Sequence, residues 1–152
     1  MIRIEGSITI KRPTEEVFAY VSDLRHSREW QKGLSEVRKT TEGRLGVGTR
    51  FTFVRKFLGR RLEGSNEFIE YKPNALVAFR FAAGPIPGEA AYLFESAPEG
   101  CKLTSRIAMR TGGLSKLAEP LIAAGLSRDV ETNLGKLKNV LESRAAGSAP
   151  GS

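Results

Sequence analysis

The chain of 152 residues is 40% apolar and 27% charged, figures that suit one soluble domain of mixed helix and strand better than two domains or a disordered chain. A single cysteine, Cys101, excludes an internal disulfide, and a single histidine, His26, leaves no His/Cys cluster at zinc-ligand spacing. The net charge of +7, from 24 basic and 17 acidic residues, arises entirely within Gln31 to Leu62, which holds nine basic and two acidic residues.

Ile2, Ile4, Ile8 and Ile10 occupy even positions, the signature of an opening strand with one buried face, loosened near Gly6. Pro13 ends it. Thr14 is the expected N-cap of a short helix whose first turn carries Glu15 and Glu16, where the helix dipole favours negative charge. Val17, Val21 and Leu24 give that helix an apolar stripe, and Ser22-Asp23 is expected to separate it from a second short helix ending near Trp30.

From Leu34 to Arg110 the turn signals Glu42-Gly43, Gly46-Val47-Gly48, Leu58-Gly59, Lys72-Pro73-Asn74, Gly84 to Gly88 and Pro98-Glu99-Gly100 recur about every ten residues, as in a meander of antiparallel strands. The inner faces are expected to be Phe51 and Phe53; Leu62, Asn66 and Phe68; Val77, Phe79 and Phe81; Ala90, Tyr92 and Phe94; and Leu103, Ser105, Ile107 and Met109. Leu126, Val130, Leu134, Leu137 and Leu141 then step by four, four, three and four, which predicts an amphipathic helix. Leu114, Leu117 and Leu121 extend it backwards across a kink at Pro120, giving an element from Leu114 to Arg144 of about 45 Å at 1.5 Å per residue. Ala145 to Ser152, composed of Ala, Gly, Ser and Pro, reads as a disordered tail after a single domain spanning 1–144. No segment approaches the roughly 20 apolar residues of a bilayer span and Met1 to Ile10 lacks a long apolar leader core, so the expected location is the cytoplasm.

Several segments in this order carry a resemblance. Pro13-Thr14-Glu15-Glu16-Val17-Phe18-Ala19-Tyr20-Val21-Ser22-Asp23-Leu24, Glu29-Trp30, Gly46-Val47-Gly48-Thr49-Arg50-Phe51, Glu70-Tyr71-Lys72-Pro73 and Leu134-Gly135-Lys136-Leu137-Lys138 to Leu141-Glu142 resemble the polyketide cyclase/dehydrase and lipid-transport branch of the SRPBCC (START-like) superfamily. The resemblance spans nearly all of Ile4 to Arg144 and departs from the usual Gly-Gly-Thr before the last strand, which is here Gly100-Cys101-Lys102. It implies an α+β helix-grip fold: a curved seven-stranded antiparallel sheet around a long C-terminal helix, with an apolar cavity between them. It carries over no universal catalytic residue, because fold does not decide function.

Aromatic stripes ordinarily pack, so the residues alone favour a filled core; the resemblance reverses that preference. With it, Trp30, Phe53, Asn66, Phe79, Tyr92, Ser105, Ile107, Leu126 and Val130 become the expected lining of a ligand cavity, with Asn66, Tyr92 and Ser105 placed to orient a carbonyl or hydroxyl. Tyr92 and His26 are the candidate proton-transfer groups. His26 shares a spacing of three with Asp23 and Glu29, but without a second His or Cys the trio makes no metal site. Gly46-Val47-Gly48 leads into a strand and so cradles no phosphate, and Cys101 reads as incidental. No metal, nucleotide or other cofactor is expected.

Arg55, Lys56, Arg60 and Arg61 bracket Phe57 and Leu58 at an expected hairpin tip. Such charges commonly protect a sheet edge; the sharper reading is contact with an anionic membrane surface, and nucleic acid follows because the aromatic platforms of a single-strand binder are missing. The leading functional expectation is binding of a small hydrophobic molecule, aromatic, polyketide-like or lipid, by a monomer or homodimer. The alternatives are a polyketide aromatase/cyclase or dehydratase using the same cavity, and an interaction module with a filled core and a working basic hairpin.

Overall fold

The computed structural model describes residues 1–57, 59–110 and 118–148. Its elements run β1 (Ile2–Ile10), α1 (Thr14–Ser22), a short 3-10 helix (Leu24–Glu29), β2 (Leu34–Lys39), β3 (Arg50–Phe57), β4 (Arg60–Lys72), β5 (Leu76–Ala83), β6 (Ile86–Ala97), β7 (Gly100–Met109) and α2 (Glu119–Ser148). The strands form one seven-stranded antiparallel sheet in the order β1-β7-β6-β5-β4-β3-β2, so the first strand closes against the last. The sheet curves around α2 in the helix-grip arrangement.

β1 pairs with β7 along its whole length, from Ile2 opposite Met109 to Ile10 opposite Cys101. Gly6 does not interrupt it. A Cβ at Gly6 would stand 2.9 Å from Val130 Cγ1, so the missing side chain lets α2 cross close over the strand. At the other end, Lys138 Nζ donates to Thr9 O at 2.9 Å and Lys11 N donates to Glu142 Oε2 at 2.9 Å, and Lys138 and Glu142 also pair with each other, fastening α2 to the end of β1.

α1 starts differently from expectation. Pro13 holds the capping position without a side-chain hydrogen bond, and Thr14 is already helical, its hydroxyl 3.2 Å from Ser96 Oγ on β6. Asp23 then breaks the helix in extended conformation and caps the 3-10 helix, accepting from Arg25 N.

The α2 stripe divides in two. Leu134, Leu137 and Leu141 are buried, whereas Leu126 and Val130 are half-buried. Pro120 does not kink the helix: it sits in the first turn, where its missing N–H has no helical partner to lose. The helix runs on to Ser148, so the expected end at Arg144 is corrected, the Ala145-Ala146 pair favouring helix. Leu114 and Leu117, and 149–152 of the expected tail, lie outside the described residues. No described helix is long and apolar enough to cross a membrane.

Candidate functional site

From β3 to β7 the inner face of each strand passes from packed core to open wall. Phe51, Phe68, Val77, Phe94 and Leu103 are buried in the core. Their inward neighbours in the same strands, Phe53 and Arg55, Asn66 and Leu62, Phe79 and Phe81, Tyr92 and Ala90, Ser105 and Ile107, line a void instead. Edge-to-face rings seal the packed end, Phe18 lying 5.4 Å from Tyr71 and 5.0 Å from Phe94 between ring centroids. The inner face of β4 keeps its parity from Leu62 to Phe68 and then crosses a bulge between Phe68 and Glu70, which turns Tyr71 inward to stack on Phe68. At the open end Gly64 makes room for Phe53: a Cβ there would clash with Phe53 Cζ and with the Ala82 carbonyl oxygen.

The cavity measures about 280 Å³, with Ile122, Leu126 and Val130 of α2 as its roof, near the lower end of the 300–1,000 Å³ common for small-molecule sites. Trp30, Phe53, Asn66, Phe79, Tyr92, Ser105, Ile107, Leu126 and Val130 all line it. The 3-10 helix supplies Leu24 and Ser27, and its C-cap Trp30, to the same wall. Residues three apart eclipse one another in that helix, so these form one ridge toward the cavity. Ser27 Oγ and Trp30 Nε1 are buried without a hydrogen-bond partner among the described residues, a cost of about 1–3 kcal/mol for each group left unsatisfied.

Sequence reasoning missed the polar end of this cavity. Arg55 has the parity of Phe51 and Phe53, so β3 carries it inward, opposite Leu62 on β4. Its Nη2 donates to Gln31 Oε1 at 2.8 Å and its Nη1 to Lys32 O at 3.4 Å, while the guanidinium lies 5.9 Å from the Phe53 ring centroid. Gln31 Nε2 in turn donates to the Tyr92 hydroxyl at 3.1 Å. Burial lowers the pKa of Arg55, opposed by the nearby Tyr92 and Asp129. Burial likewise pushes the Tyr92 phenol up to about 12, against the Arg55 charge and the Gln31 hydrogen bond.

A raised phenol pKa has a testable sign. Below the ordinary tyrosine value of about 10, Tyr92 is protonated folded and unfolded, so its contribution is complete. As pH rises from there toward 12, the unfolded chain ionises first and stability falls. The Tyr92→Phe variant should therefore lose less stability than wild type between pH 9 and pH 11.5 in urea titrations. Tyr20 is also shifted upward, by burial and by its hydrogen bond to Glu29, but it contributes equally to both proteins. An identical drop in the two would refute the assignment.

Other expected site residues lie elsewhere. His26 and Glu29 share a ridge as their spacing implies, but it turns toward α1. The His26 ring stacks on Tyr20 at 4.6 Å, its Nδ1 is 2.8 Å from Tyr20 O, and the Tyr20 hydroxyl donates to Glu29. His26 opens to a surface depression with Arg25, Arg28 and Arg144 and is not among the residues lining the cavity, so its candidacy as a proton-transfer group beside the ligand is corrected. The basic hairpin is corrected too. Arg60 and Arg61 are exposed at the β3–β4 end, Arg61 pairing with Glu63 at 3.2 Å, whereas Arg55 belongs to the cavity wall and Lys56 is exposed at its rim. The Phe57 side chain and Leu58 lie outside the described residues.

The model of the polyketide cyclase/dehydrase and lipid transport family matches residues 1–142. Among solved structures, TTHA0849 of Thermus thermophilus is similar at TM-score 0.75 and 20% identity, covering 93% of this chain and 98% of its own. Protein NE0264 of Nitrosomonas europaea is similar at TM-score 0.73 and 17% identity, covering 95% of this chain and 97% of its own. The di-domain ARO/CYC BexL from the BE-7585A biosynthetic pathway is similar at TM-score 0.76 and 17% identity, with 95% of this chain matching 48% of that one. No curated protein matches the sequence. Identities this low establish the shared fold, whereas the family match over 1–142 establishes membership: the chain belongs to the polyketide cyclase/dehydrase and lipid transport family.

Proposed function

We propose that the protein binds a small hydrophobic molecule, aromatic, polyketide-like or lipid, in the cavity between sheet and α2. The observation that carries this reading is the change from solid core to lined void along every inner strand from β3 to β7. A chain that only needed stability would fill that space, because protein interiors pack closely and each lost contact costs dispersion energy. Family membership supports the same reading.

The aromatase/cyclase or dehydratase alternative needs a group that takes up a proton near neutral pH. Among the described residues the ionisable groups lining the cavity are Arg55, Tyr92 and the exposed Lys32, Lys56 and Asp129, and Tyr92 holds its proton up to about pH 12. This set suits holding and orienting a ligand better than moving its protons.

Titration with the neutral fluorescent probe N-phenyl-1-naphthylamine should give saturable binding at one site per chain, and native mass spectra of freshly purified protein should carry the added mass of a co-purified apolar molecule. A probe signal that never saturates, together with spectra of bare protein only, would refute the reading.

A further inference from the structure

We infer that the cavity's ligand is an amphipathic acid: an apolar body carrying one carboxylate, or a like two-oxygen anionic group, received by Arg55. The inference rests on the ligand-binding reading above and specifies the chemistry of that site.

Arg55 stands on the cavity wall without a salt-bridge partner among the described residues, Asp129 acting on it only from a distance. Among the described residues no carboxylate lies within 4.0 Å of it, and both of its hydrogen bonds go to neutral oxygens, Gln31 Oε1 and Lys32 O. A guanidinium offers five N–H donors in a planar fork that fits a carboxylate edge to edge, so these two bonds leave donors for a ligand. Keeping a cation in a largely apolar pocket costs desolvation energy. An acid arriving there meets a group already stripped of much of its water.

The neighbouring hydrogen bonds set a second donor. Arg55 fixes the Gln31 amide with its oxygen toward the guanidinium, which turns Nε2 toward the Tyr92 hydroxyl as donor. Tyr92 therefore spends an acceptor lone pair on Gln31 and keeps its own O–H for a ligand oxygen. Gln31 acts as a positioning residue.

The charge of the wall agrees. Lys32, Arg55 and Lys56 line the cavity, against Asp129 as the one carboxylate among the described lining residues. Lys32 and Lys56 are exposed and screened by water, which leaves the half-buried Arg55 as the cation that acts inside the cavity; Asp129 on α2 is exposed and screened in the same way. It opposes an anionic ligand only weakly, and that opposition gives the inference an independent handle.

Two probes of equal shape isolate the acid group: 2-naphthoate, an anion at neutral pH, and 2-naphthamide, its uncharged counterpart. Calorimetry on the wild type should show 2-naphthoate binding about tenfold or more tightly than 2-naphthamide. The ratio between the probes should collapse toward one in Arg55→Gln and rise in Asp129→Asn. Equal binding of the two probes by the wild type would overturn the inference while leaving the ligand-binding reading intact. Binding of neither would overturn both. A preference retained in Arg55→Gln would remove Arg55 from the role, and should that variant fail to fold, the wild-type ratio and its direction of change in Asp129→Asn decide the matter.

Discussion

Truncating Leu137 to Ala should destabilise the protein by about 2–5 kcal/mol, whereas Leu126→Ala, on the same stripe of the same helix, should cost about 1 kcal/mol or less. The chemistry removed is identical; the surroundings differ. Leu137 is fully buried in the core cluster with Leu134 and Leu141. Its loss leaves a new hole among side chains that cannot relax to fill it, so both transfer and cavity terms apply. Leu126 is half-buried and faces a void that already exists. Its truncation widens that void, with fewer neighbouring atoms to lose. Urea midpoints for the two variants, read with an unchanged dependence on denaturant, measure the contrast. Comparable losses would refute the division of α2 into a packed half and a roof.

That division also explains what the sequence made legible. Alternation by two exposes the inner face of a strand wherever that face is apolar, and Phe51, Phe53, Phe79, Tyr92 and Ile107 were readable for this reason. Arg55 continues the same parity, but a cation on a strand ordinarily points to water, so composition argued against its position and pulled it into the basic run with Lys56, Arg60 and Arg61. Gln31 carried no signal at all. It follows the 3-10 helix in a connecting segment, and its role depends on meeting Arg55, 24 residues further along, and Tyr92 across the sheet.

The short helix gives a subtler case. The spacing of Asp23, His26 and Glu29 was visible, and so was that of Leu24, Ser27 and Trp30. In an α-helix a repeat of three drifts around the axis, whereas in a 3-10 helix it forms a straight ridge. The apolar ridge took the cavity and the ionisable ridge turned to Tyr20. Burial decides between the ridges: Leu24 and Trp30 gain by leaving water, while Glu29 and His26 do not. A period of three, rather than 3.6, was the signal that would have moved His26 away from the chemistry.

Filling the cavity should separate ligand binding from folding. Ala90 lies on β6 opposite Phe79 on β5 and Ile107 on β7, with all three residues on the cavity wall. A phenyl ring introduced by Ala90→Phe would occupy much of a void of only about 280 Å³. Binding of N-phenyl-1-naphthylamine should fall by about 100-fold or more, because a ligand must then displace a covalently tethered competitor. Stability should hold or rise, since the ring fills existing space, unlike an insertion into a packed core, which commonly costs about 1–3 kcal/mol. A matched enlargement at Val77, fully buried in the core cluster and away from the cavity lining, should show that reverse pattern: loss of stability with little direct competition for the probe. Probe binding that survives Ala90→Phe at full strength would place the ligand outside the helix-grip cavity, and the depression around His26 would be the next place to test.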